Sequence, residues 1–124
     1  MRFIVLLLLL TGGYANAHQF TPTYPKLDQS YIPNVLKADM ELFNSRMDVD
    51  FYELNVYDND WNSVPFAVME GKVVKVEYLK RKQIAVFIRE ADKDRAVYVC
   101  SVSKLVSDNT NKTSIASKIC SKLK

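Results

Sequence analysis

The sequence predicts an α+β fold: an N-terminal helix, a small antiparallel β-meander or partly open barrel, and a C-terminal helix tethered by a disulfide. Three observations lead there. Apolar residues between Ile32 and Met47 recur at spacings of three and four. Three alternating segments between Val73 and Val102 are joined by short polar connections. Cys100 and Cys120 are the only two thiols of the 124-residue chain.

The chain starts with one cation, Arg2, then the apolar run Phe3 to Leu10, then a more polar stretch closing on Ala15-Asn16-Ala17. That order reads as a secretory signal peptide over residues 1–17. The apolar run falls short of the roughly 20 residues a membrane-crossing helix needs. The working protein is therefore expected to begin at His18, secreted or periplasmic, with no membrane span. Residues 18–32 are polar, with Pro22, Pro25 and the aromatics Phe20, Tyr24 and Tyr31. Residues before proline avoid the α region, so this is an extended lead-in. It reads equally as a disordered arm or as an arm that anchors on a partner through its aromatics.

Residues 33–124 make one small domain. Pro33 suits the first turn of a helix. Ile32, Leu36, Met40, Phe43 and Met47 then form one stripe of helical period up to Met47. Phe51 to Tyr57 is rich in β-formers, with Tyr52, Leu54 and Val56 on one face. Asp58 to Ser63 is a turn. Phe66 to Glu70 is a short strand ending at Gly71. Val73–Leu79, Ile84–Arg89 and Ala96–Val102 alternate and are linked by Lys80-Arg81-Lys82-Gln83 and Asp92-Lys93-Asp94-Arg95, the pattern of a meander. Beyond a polar loop at 107–113, Ile115, Ile119 and Leu123 lie four apart and predict a last helix capped by Thr113 or Ser114.

In an oxidising compartment two cysteines form a disulfide. Closing a loop of about twenty residues contributes about 3 kcal/mol in the chain-entropy account. The Cys100–Cys120 bond would pin the last helix onto the third meander strand.

Charge divides the mature chain. Residues 18–71 carry three cations against nine anions, and residues 72–124 carry thirteen against five. The two halves of one small domain must touch and largely neutralise each other. The same asymmetry also suits acid-to-base self-association. The candidate basic binding surface is Lys75, Lys80, Arg81, Lys82 and Arg89. Outside the cytoplasm its partner would be an anionic glycan, a lipid head group or an acidic protein surface, not nucleic acid.

Enzymatic chemistry finds little purchase. The only histidine, His18, falls at the expected terminus on a mobile segment, and both cysteines are committed to each other, so no nucleophile has a positioned base. Asp48, Asp50, Glu53, Asp58 and Asp60 crowd one region, but a glycosidase also needs a sugar-sized cleft. Asp58, Asp60 and Asn62 match the start of a calcium loop, yet Ser63 stands where glycine is required and Met69 where the bidentate glutamate belongs. No cofactor, metal or catalytic residue is expected. Asn111-Lys112-Thr113 is an N-x-T acceptor pattern.

These readings describe an exported, non-enzymatic protein that acts by protein–protein contact, such as an accessory subunit of a bacterial secretion, pilus or conjugation apparatus. The alternative is a secreted ligand-binding module, either a ring-forming glycan-binding subunit or an inhibitor of a secreted enzyme.

Overall fold

The computed structural model describes residues 18–104 and 116–123. The signal-peptide reading, the polar loop with Asn111 and the cap of the last helix lie outside the described residues.

The fold is nearly all β, and both long helices expected from the sequence are absent among the described residues. Strand β1 (Gln19–Thr21) and strand β2 (Asp28–Gln29) pair with opposite halves of one edge of β3 (Val35–Phe43). The other edge of β3 pairs antiparallel with β6 (Arg81–Arg89) over its whole length, Val35 opposite Arg89 and Phe43 opposite Arg81. The second sheet runs β5 (Val73–Lys75), β4 (Phe51–Tyr57), β7 (Tyr98–Lys104), β8 (Lys118–Lys122), also antiparallel. One core cluster joins the two sheets, with Met40, Leu42, Val86 and Ile88 from the first and Tyr52, Leu54, Val56 and Val99 from the second.

The expected helix over 33–47 is strand β3. A spacing of four is a multiple of two, so Leu36 and Met40 serve a strand as well as a helix. Ala38 and Leu42 complete the alternation, and all four are buried. The residues that only a helix would align do not join the core: Phe43 faces outward beneath Arg81, and Met47 is 79% exposed. The C-terminal helix fails in the same way. Ile119, Ser121 and Leu123 alternate along β8 and just beyond it.

The meander is also overturned. The three segments do contain strands, but β5 pairs with β4, β6 with β3, and β7 with β4 and β8. Sheets stack about 10 Å apart. The five residues between β5 and β6 reach roughly 17 Å when extended. A short connection can therefore cross to the facing sheet as easily as it can turn back within one. Asn44 holds the base of that crossing. It is fully buried, its Nδ2 donates to Val49 O at 2.6 Å and Val76 O at 2.8 Å, and its Oδ1 accepts from the Arg46 amide and the Tyr52 hydroxyl. Phe66–Glu70 forms only a single bridge, Ala67 to Phe87, on the free edge of β6.

Candidate functional site

β8 is the last strand of its sheet. The Ser103 amide donates to Ser117 O and the Leu123 amide donates to Val97 O, so the odd-numbered residues of this segment turn their backbone toward β7. Lys118, Cys120 and Lys122 turn theirs away. The Lys122 amide donates to Thr23 O at 2.9 Å, where the N-terminal segment crosses. Among the described residues, nothing pairs with the outward backbone groups of Lys118 and Cys120. The opposite edge, β5, is three residues long and carries Lys75, a short charged edge of the kind that resists pairing.

The disulfide Cys100–Cys120 is present, with a Cα–Cα distance of 4.0 Å. It joins directly opposed residues of β7 and β8 and so fastens the open-edged strand to the sheet. The sequence assigned it to a helix–strand contact; it is a strand–strand contact.

The five basic candidates divide. Lys75, Lys80, Arg81 and Lys82 surround one shallow depression of about 370 Å³ at the β5–β6 crossing, together with Glu77. Arg89 lies at the far end of β6, roughly 26 Å away along the strand, where it is paired with Asp92 at 2.7 Å. Two members of the cluster are already matched, Arg81 with Glu41 at 2.8 Å and Lys82 with Glu70 at 3.1 Å. These pairs, with Lys104–Glu53 at 3.0 Å, join the basic half of the chain to the acidic half.

His18 is not on a mobile terminus. It is 2% exposed, with Nε2 2.7 Å from Ser101 Oγ and Nδ1 3.1 Å from Ser117 Oγ. Its ring lies 4.5 Å from that of Tyr52. The well continues through Ser103, which accepts from the Ser117 amide and from Arg46. Burial lowers the His18 pKa to about 4, helped by the Arg46 charge and opposed by the contact with Ser101. The imidazole is therefore neutral at pH 7. It stands within hydrogen-bond reach of the Ser101 hydroxyl, and both groups are buried. The same burial pushes the Tyr52 hydroxyl up to about 12 and keeps it a donor.

Asp58 acts as a turn residue. Its Oδ1 accepts from the Asp60 and Asn62 amides, each at 2.9 Å. Among the described residues no group of three or more His, Cys, Asp or Glu side chains is placed to hold a metal ion. The turn presents Trp61, which the sequence places in the Asp58–Ser63 turn without marking it as a site. Its indole lies flat on Tyr98, 4.2 Å between ring centres and 4° from parallel. The signal for it was the lone tryptophan inside a polar loop. Also unforeseen is an apolar groove of about 410 Å³ on the outer face of the first sheet, where Tyr31 and Met69 stand over Phe87.

No family model matches the chain, and no curated protein does. Among solved structures, the chain is similar to the E. coli chaperone DraB, with a TM-score of 0.60 and 13% sequence identity over 86% of this chain and 53% of that one. This chain thus spans about half of DraB's length. At that identity the likeness is one of fold alone.

Proposed function

We propose that this is an exported, non-enzymatic protein that acts by protein contact, as a chaperone-like or accessory subunit of a bacterial cell-envelope assembly. The observation that carries the reading is the open edge of β8. An extended segment of a partner can add to such an edge as a further strand, with backbone hydrogen bonds supplying affinity. The disulfide supports the reading, because it fits an oxidising compartment and stiffens that strand. The likeness in fold to a chaperone supports it too, since chaperones work by holding other polypeptides.

The test is a photo-crosslinking residue at position 118 of the full chain, expressed in its own host, with position 39 on the opposite sheet as the control. A crosslink to one envelope polypeptide from 118 and none from 39 is expected. Lys118→Pro removes the outward amide of an edge strand, a position where proline is tolerated, and should abolish the crosslink from a photo-residue at position 116. A monomer that crosslinks to nothing from the β8 edge would refute the proposal.

A further inference from the structure

We propose that Trp61, stacked on Tyr98 and flanked by Tyr57 and Lys118, is a binding platform for an acidic pyranose, a hexuronate ring within an anionic oligosaccharide. This stands apart from the edge-strand reading, because it uses side chains on the outer face of the sheet rather than backbone at its edge.

Trp61 is the only tryptophan of the chain and is 49% exposed. Its φ of 65° is left-handed, a conformation that favours glycine over residues with a side chain. The turn that imposes it is fixed: the Trp61 amide donates to Asp58 O at 3.1 Å, and the Asp58 amide to Asn62 O at 2.9 Å. Glycine usually follows such a turn in a hairpin. Here the position holds the largest side chain, laid flat on Tyr98, which covers one indole face while the residue as a whole stays half exposed.

A flat aromatic face matches the C–H face of a pyranose ring, and the rim supplies what the ring's substituents need. Among the described residues no partner engages the side chains of Asp60 or Asn62, which can meet hydroxyl groups. The Lys118 ammonium lies 4.7 Å from the Tyr57 ring centre and 5.2 Å from that of Trp61. It forms no ion pair among the described residues. An ammonium beside the rings repels a cationic ligand and draws in a carboxylate. An open platform suits a ring in the middle of a polymer better than a small molecule needing enclosure.

The lone indole makes the test direct. Titration of the full chain with tetragalacturonate should give a saturable change in Trp61 fluorescence. Neutral cellotetraose should bind about tenfold more weakly, the worth of one charge-assisted hydrogen bond. Lys118→Gln keeps the fluorophore and should erase that preference. Trp61→Phe, followed by calorimetry, should weaken binding of the acidic sugar. The proposal is overturned by silence toward tetragalacturonate, by equal response to both sugars, or by a preference that survives Lys118→Gln. It is equally overturned if a photo-residue at position 61 captures a polypeptide while the sugars do nothing, which would make the platform a protein contact.

Discussion

His18 is held neutral by its surroundings, and that has a measurable consequence. Above pH 6.5 the imidazole is neutral in folded and unfolded chains alike, and the well contributes its full stability. As the pH falls from 6.5 toward 4, the unfolded chain takes up a proton that the folded chain excludes. Stability therefore declines across that window, by on the order of 3 kcal/mol at its acid end. Urea unfolding at pH 7.5 and 4.5 should show this loss in the parent chain and a smaller one in His18→Gln. The same loss in both would mean that His18 does not carry it. The role of this residue was not legible in the sequence. A lone histidine at the expected start of a mature chain has no neighbours to betray it; its partners Ser101 and Ser117 are 83 and 99 residues away.

Each strand and turn carries its own test of how well sequence and backbone agree. The Glu77–Lys80 turn, closed by the Lys80 amide on Glu77 O at 3.0 Å, puts Leu79 at φ 60° in its third position. That position favours glycine, and the Leu79 side chain is 58% exposed. Leu79→Gly should stabilise the fold by about 1 kcal/mol, raising the thermal midpoint by roughly 5 °C; a lower midpoint would mean the leucine packs against something that matters. Strand β4 shows what was readable: Phe51–Tyr57 carries strict alternation, and its bounds and its buried Tyr52, Leu54 and Val56 follow from that alone. Strands β3 and β8 show what was not. Their strongest apolar residues are four apart, a spacing that two periods share, and only Ala38 and Leu42 could have broken the tie for β3. Pairing was less legible still, because alternation fixes which face a residue takes but not which strand lies beside it. Of the candidate site, the disulfide was readable from compartment and count. The β8 edge was not, since an edge exists only once the sheet order is known.

Across the whole molecule, β8 is the strand most in need of a fastening. Among the described residues its backbone is laddered to β7 on one side, and on the other side the Lys122 amide alone is engaged, by Thr23 O. Its inward face contributes Leu123 to the core and Ile119 beside it, whereas Ser121 Oγ is buried without a hydrogen-bond partner among the described residues. That hydroxyl weakens the strand's own hold, as an unsatisfied buried polar group does. The Cys100–Cys120 bond compensates by restricting the unfolded chain, worth about 3 kcal/mol for a loop of this length. Replacing both cysteines by alanine should therefore lower the urea midpoint by about 2 M for a domain of this size. Backbone amide exchange should quicken first at Ile119 and Ser121, while Val86 and Ile88 in the opposite sheet keep their protection until global unfolding. If the loss is instead uniform across both sheets, β8 is an integral part of one cooperative core, and its edge cannot open or strengthen independently when a partner strand arrives.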